Sequence, residues 1–301
     1  MSTPVTTGPR HAASEPPNPA DQPGQVDRRE RTPAGRGDSQ SAVTFPRVVR
    51  SEWIKLRSVR SVMITLLASA LVVIAVGMLA AALTTGSIAP ADGGPPAGRL
   101  GTDPTSISLA GVQLAQLIVA IVGVLLVSAE YSTGSILGTL AAVPRRWPVL
   151  LAKLLVFGVV TFLLELVAVL TAFLAGQAVL GDAGVALTDT GVAPAVVGAA
   201  VFLAATGLMG VALGFLLRST AAGIAVTVVA FFLVPGLLNL FSADVQETVR
   251  PYLPSSAGTS LTSATGVDGY LGYWPGLLLL AGYVVILVGA ALTRLRRSDA
   301  T

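Results

Sequence analysis

Six long stretches of this 301-residue chain contain almost no charged side chain. A helix needs about 20 apolar residues to cross the roughly 30 Å hydrocarbon core of a bilayer, and each stretch holds at least that many. Backbone groups inside lipid must be bonded within the segment, so helices are expected. The sequence therefore predicts an all-α polytopic membrane protein with six transmembrane helices. The stretches are Ser61–Ala91, Pro104–Ala129, Leu154–Gly181, Thr190–Leu217, Ser219–Ala243 and Gly269–Thr293.

The orientation of the six spans follows from the basic residues, which favour the cytoplasmic side of a membrane. With the N-terminus inside, twelve Lys and Arg residues between Arg47 and Arg297 lie on the cytoplasmic side, against only Arg99 and Arg250 outside. We therefore expect both termini in the cytoplasm. The predicted spans are Val62–Leu83, Ile107–Ser128, Val149–Val179, Val192–Leu216, Ala221–Phe241 and Tyr273–Leu292.

The chain divides into four predicted regions. Residues 1–41 are rich in Pro, Gly, Ser and Thr and hold almost no large apolar side chain, so we expect a disordered cytoplasmic tail. Residues 42–60 are predicted to form a basic amphipathic interfacial helix, because Val49, Trp53 and Leu56 fall on one helical face. Residues 61–297 would form the six-helix transmembrane domain, and residues 298–301 a short cytoplasmic tail.

Side chains suited to catalysis are scarce. The chain has no Cys, and its single His, His11, lies in the polar tail. Neither of its two lysines, Lys55 and Lys153, follows a Gly, so the phosphate-binding loop G-x-x-x-x-G-K-[ST] is absent. These features argue against an enzyme activity, a metal site or a cofactor bound by this chain. The basic residues flank the spans, which indicates a lipid membrane and not a nucleic acid as their partner.

The most distinctive loop lies between the second and third spans. It reads Glu130-Tyr131-Ser132-Thr133-Gly134-Ser135 and later Pro144-Arg145-Arg146. Ser132 or Thr133 could cap a short helix by accepting a bond from its free N–H groups. Pro144 would end that helix, and the two arginines would hold the return to the membrane at headgroup level. The pattern predicts a short amphipathic element on the cytoplasmic side.

Three motifs together resemble the membrane-spanning permeases of type-2 ABC exporters, especially actinobacterial ones. They are the basic segment Arg50–Ser58, the Glu130–Gly134 loop with its Pro144-Arg145-Arg146 end, and Tyr252–Gly258 between the last two spans. The resemblance covers roughly Val43 to Arg297. Each motif is short, but their order and their placement relative to six spans make the match specific.

The resemblance implies a mechanism that depends on other subunits. In that family the loop after the second span is a coupling helix, which sits in a groove of a separate ATP-binding subunit. Loop 129–148 would then be the coupling loop, and the partner would bind the ATP. A second permease subunit, identical or related, an exported substrate and a bacterial plasma membrane are also implied. The residues expected to contact or position the ATPase are Glu130, Thr133, Gly134, Ser135, Arg145 and Arg146.

Glu165 is the only charge inside the six stretches. A charged group in mid-span costs about 2.5–3.5 kcal/mol on insertion, so it is expected to face protein or water. It could line a substrate route, relay protons or form a hydrogen bond between helices, and the absence of an intramembrane His, Lys or Arg favours the hydrogen bond. The alternative function, a stand-alone secondary transporter, would use this residue. A non-transporting membrane scaffold is a further alternative.

Two features concern helix packing. Gly207, Gly210 and Gly214 give the fourth span a small-residue surface that permits close helix approach. Packing inside the bundle is the favoured interpretation, and a contact between two subunits is the alternative. In the fifth span, Pro235 lacks a backbone N–H, would free a carbonyl and is predicted to kink the helix.

Overall fold

The computed structural model describes residues 44–87, 103–134 and 147–297. Within these ranges the regular structure is helical and contains no strand. The predicted tails, residues 1–41 and 298–301, lie outside the described residues. The helices are α1 Phe45–Ser58, α2 Arg60–Thr84, α3 Pro104–Ser108, α4 Val112–Ser132, α5 Trp147–Leu180, α6 Val192–Leu217, α7 Thr220–Leu238, α8 Ala243–Val249, α9 Pro254–Thr262 and α10 Tyr273–Arg297.

Six of these helices, α2, α4, α5, α6, α7 and α10, are long and apolar enough to cross a membrane. They correspond one to one with the predicted spans and confirm the all-α membrane fold. The longest is α5, with 34 residues. At 1.5 Å per residue it is about 51 Å long, well beyond the roughly 30 Å of hydrocarbon.

The predicted start of the second span, Ile107, is wrong. Ile107 lies in the separate short helix α3, whose first turn is capped by Asp103 Oδ1 accepting from the Thr105 N–H at 3.0 Å. The chain turns at Gly111 before α4 begins. A Cβ atom on Gly111 would lie 2.5 Å from the Val73 carbonyl oxygen, so this turn packs directly on the α2 backbone. Hydropathy continues through the turn, which is why the sequence pattern does not reveal it.

The centre of the bundle is α6. In its most apolar window 78% of the residues are buried, compared with 17% for α10. Buried aromatic rings lie along α6 and its neighbour α5, with Phe202 and Phe173 in one core cluster and Phe215 and Phe157 in another. The remaining spans surround α6 and expose much of their apolar surface.

The fifth span, α7, has an irregular hydrogen-bond pattern near Pro235, the residue predicted to kink it. Residues Val229–Leu233 form a π-helical segment immediately before Pro235. In a π-helical segment each N–H bonds to the carbonyl five residues earlier instead of four. This shift in the backbone hydrogen bonds compensates for the N–H that proline lacks. Between α7 and α10, the short helix α9 is almost wholly buried, and Gly258 in α9 lies against the Phe202 ring.

The helix predicted before the first span is present as α1, and one of its faces packs against α5. Val48, Glu52 and Leu56 are buried, whereas Trp53 is 47% exposed. Val48 packs against Val149 and Ala152 of α5. The buried face of α1 therefore contains a carboxylate, which the apolar periodicity used for the prediction does not register.

Candidate functional site

Two lysines and two glutamates meet where α1, the end of α4 and the start of α5 come together. We call Glu52, Lys55, Glu130 and Lys153 the charge cluster. Lys153 Nζ lies 2.6 Å from Glu52 Oε2 and 2.8 Å from Glu130 Oε1. Lys55 Nζ lies 2.6 Å from Glu52 Oε1 and 3.8 Å from Glu130 Oε1. Three separate helices are thus joined by one set of ion pairs.

The two most buried members of the charge cluster are Lys153 and Glu52, whose side chains are 3% and 2% exposed. Glu130 is 16% exposed and Lys55 36%. A charge out of water needs a close partner, since an isolated buried ion is strongly unfavourable. The ammonium of Lys153 is therefore stable only because both carboxylates reach it, and it fixes α1 and α4 against α5.

The apolar contacts of α1 explain how the cluster forms. Glu52 is one turn after Val48 and one turn before Leu56, so it shares their buried face. Val48 packs on Val149 and Ala152, which immediately precede Lys153 on the same part of α5. Burial of these side chains brings Glu52 within reach of Lys153.

The part of the predicted coupling loop that the structure describes forms the C-terminal end of α4. Thr133 Oγ1 and Ser132 Oγ donate to the Ala129 carbonyl at 2.8 and 3.0 Å. The helix that Ser132 or Thr133 was predicted to cap would lie in residues outside the described ranges, so that role stays a prediction. Gly134 follows with φ of +70°. Ser135, Pro144, Arg145 and Arg146 lie outside the described residues.

A second set of contacts joins the end of α4 to the turn between α6 and α7. The Arg218 guanidinium lies 5.4 Å from the centre of the Tyr131 ring, which also packs edge-on against Phe215. Thr220 Oγ1 donates to Ser128 Oγ at 2.9 Å. Arg218 has φ of +53°, a conformation that non-glycine residues rarely adopt. The end of α4 is thus linked to α6 and α7 as well as to α1 and α5.

Glu165 lies in the middle of α5 and is fully buried. Its Oε1 is hydrogen-bonded to Ser69 Oγ of α2. Ser69 Oγ also lies 2.7 Å from the Leu66 carbonyl oxygen, which can only accept. One hydroxyl proton cannot serve two acceptors, so a neutral Glu165 carboxyl that donates to Ser69 would satisfy both contacts.

Gly207, Gly210 and Gly214 of α6 face other helices of the same chain. A Cβ on Gly210 would meet the Ala120 carbonyl oxygen of α4, and one on Gly214 would lie 2.8 Å from Val127 Cβ. A Cβ on Gly207 would lie 2.8 Å from the Phe157 ring of α5. These glycines therefore allow α4 and α5 to approach α6 closely.

The sequence analysis did not predict that Lys153 pairs with Glu130 and with Glu52. Glu52 and Lys153 are 101 residues apart, and no local pattern pairs them. One signal was present: the chain has only two lysines, and both lie beside the segments that carry the family motifs. Arg218 and Tyr131 were also missed as a pair, since their contact depends on how α4 packs against α6.

Comparison with protein families places this arrangement in context. Residues 48–234 match the family described as ABC-2 family transporter protein, which is more than half of the chain. The match includes the whole charge cluster and both residues of the Tyr131–Arg218 contact. Comparison with curated proteins finds no match. With six membrane-competent helices and this family match, the chain belongs to the ABC-2 transporter family and is a membrane-spanning permease component of an ABC transporter.

Proposed function

We propose that this permease belongs to an ATP-driven exporter in the plasma membrane of a bacterium and couples to a separate ATPase subunit through loop 129–148. The observation that carries the proposal is the 2.8 Å bond between Glu130, at the start of that loop, and Lys153, just after its end. Lys153 also bonds Glu52, so a displacement at either end of the loop acts on α1, α4 and α5 together.

The proposed mechanism begins outside this chain. ATP binding closes the ATPase subunits, and the coupling loop transmits their movement to the charge cluster. The Tyr131–Arg218 contact extends the connection to the turn between α6 and α7. A loop linked to five of the longer helices is suited to move them in concert, which would open a route outward between the spans.

The topology of the proposal rests on the distribution of basic residues. Both termini, the charge cluster and loop 129–148 would lie in the cytoplasm, where an ATPase can reach them. Two permease subunits, identical or related, would act with two ATPases. By family analogy the cargo would be amphiphilic. Labelling that placed Arg145 and Arg146 outside the cell would exclude this topology and the coupling with it.

The direct test is purification of the tagged permease from its native membrane. Recovery of an ATP-binding subunit, and transport by the reconstituted complex that requires ATP, are the expected results. Transport by the purified permease alone under a proton gradient would instead establish the secondary transporter that Glu165 suggested.

Substitution of Gly134 is expected to weaken recovery of the ATPase through backbone strain. Gly134 has φ of +70°, a left-handed backbone conformation that residues with a side chain rarely adopt. Gly134→Val should reduce co-purified ATPase several-fold, because a β-branched residue strongly disfavours this conformation. Gly134→Asn is the matched control, since Asn tolerates it.

The comparison between the Gly134 variants is made at equal amounts of membrane-inserted permease. Equal ATPase recovery with Gly134→Val and the wild type would count against loop 129–148 as the coupling element. Equal losses with Val and Asn would show that the glycine itself, and not its backbone conformation, is required.

Substitution of Glu165 separates hydrogen bonding from proton relay. Glu165→Gln is expected to retain most ATP-dependent transport, because a neutral amide can still donate to Ser69 Oγ. Glu165→Leu removes the donor and leaves Ser69 buried without this partner, which costs about 1–3 kcal/mol of stability. Transport assays and thermal unfolding of both variants check this, and complete loss of transport in Glu165→Gln would support a proton or substrate role.

A further inference from the structure

A cavity of about 520 Å³ lies beside the charge cluster, between the junction of α1 and α2 on one side and α4 and α5 on the other. This volume is within the roughly 300–1,000 Å³ typical of ligand sites. Its inner wall is apolar, formed by side chains of α2, α4 and α5 that include Val62, Val122, Leu126, Val156 and Phe157. The cavity is therefore suited to a hydrocarbon chain.

The cavity opens on the outside of the bundle. Leu125 and Ala129 line it and are also exposed, one turn apart on α4. Ser61 and Thr65 line it from α2, and Ser61 is exposed. In a membrane-spanning protein this outer surface faces lipid, so the molecules with direct access to the opening are the lipids of the surrounding leaflet.

The polar end of the cavity carries charge at the level where the spans end. All four residues of the charge cluster line it, and two of them, Lys153 and Glu52, are more than nine-tenths buried. Charged side chains avoid the hydrocarbon region and mark the headgroup level. The cavity thus has a polar end at the headgroups and an apolar interior toward the bilayer centre, which matches a lipid in its natural orientation.

The charge beside the opening favours an anionic headgroup. The charge cluster itself sums to zero, with two glutamates and two lysines. The most exposed of its members is Lys55, and the neighbouring Arg57 and Arg60 are exposed.

We propose that this cavity binds an anionic phospholipid of the adjacent leaflet, with one acyl chain between α2, α4 and α5 and the phosphate near Lys55 and the start of α2. The bound lipid would contact all the helices that the charge cluster joins. The proposal requires only that the chain spans a membrane, so it stands or falls independently of the ATPase coupling.

The test measures retained lipid by native mass spectrometry of the full-length protein. The protein is purified from a mixture of phosphatidylglycerol and phosphatidylcholine that carry the same acyl chains. We expect the wild type to retain phosphatidylglycerol in preference, by about five-fold for each basic residue that contributes, the ratio that corresponds to about 1 kcal/mol. Equal retention of the two lipids by the wild type would overturn the proposal.

Two variants test the two ends of the cavity. Ala129→Phe fills the opening and is expected to lose both lipids. Ala75→Phe, at another exposed alanine that lies on α2 outside the cavity, should behave as the wild type. Lys55→Met should keep lipid binding but reduce the preference for phosphatidylglycerol by about five-fold. Wild-type lipid retention by Ala129→Phe would also overturn the proposal.

A measurement on the wild type covers the case in which Ala129→Phe does not fold. Phosphatidylglycerol with a photoreactive group in its acyl chain is expected to label Val122, Leu125 and Val156, which line the cavity. Labelling spread evenly over the exposed apolar residues of all six spans would contradict a defined site.

Discussion

Replacing Lys153 with methionine is expected to detach α1 from the bundle and to lower the free energy of unfolding by about 3 kcal/mol. Removing one partner of a buried ion pair costs roughly 3–5 kcal/mol, because the other charge is left without compensation. Here the carboxylates of Glu52 and Glu130 would lose the ammonium at 2.6 and 2.8 Å. The lower end of the range applies because Lys55 still contacts Glu52.

Thermal unfolding in detergent measures the loss of stability, and trypsin cleavage at Arg50 and Arg57 measures the release of α1. Lys55→Met is the matched control. It removes a lysine from the same charge cluster, but Lys55 is 36% exposed and should contribute no more than about 1 kcal/mol. If the two variants were equally stable, the cluster would not be what holds α1.

A double variant tests the physical cause of the Lys153 effect. In Glu130→Gln with Lys153→Met, one of the stranded carboxylates is neutral, so we expect part of the lost stability to return. Additive losses in the double variant would indicate that the lysine acts through its packing and not through its charge.

Replacing Gly210 with alanine is expected to destabilise the bundle, at the upper end of the roughly 1–3 kcal/mol that overpacking costs. The added Cβ would meet the Ala120 carbonyl oxygen of α4. A backbone atom cannot rotate away as a side chain can, so α4 and α6 would have to separate. Because α6 is the centre of the fold, the whole bundle is affected.

The matched control is Gly289→Ala in α10, where the space around the Cβ position is open among the described residues. There the substitution should be neutral or stabilising by up to about 1 kcal/mol, since alanine favours helix. Thermal unfolding compares the two variants. Normal stability of Gly210→Ala with impaired association of two subunits would instead establish the subunit contact considered from the sequence.

The sequence was sufficient to predict the six spans because hydrocarbon imposes a minimum length and excludes charge. These requirements act on composition alone, so they can be read without knowing which helices are neighbours. The errors occurred where hydropathy does not change. The turn at Gly111 between α3 and α4 lies inside an apolar stretch, and the pattern continued through it.

The candidate site was only partly predictable for a related reason. The Glu130 loop was identified by its resemblance to a family, and Gly134 is at the end of α4 as a helix-terminating glycine. The burial of Glu52 on α1 was not predicted, because apolar periodicity treats Glu52 as a surface residue. Its burial depends on Lys153, which is 101 residues later in the chain.

By itself, the sequence determined that this chain crosses a membrane six times as helices, because that result depends on local composition and the thickness of a bilayer. Tertiary structure alone decided which polar groups meet: Lys153 with Glu52 and Glu130, Arg218 with Tyr131, and Ser69 with Glu165. Buried polar groups are stable only when a partner is within about 3 Å, and such distances between remote residues are set by how the helices pack.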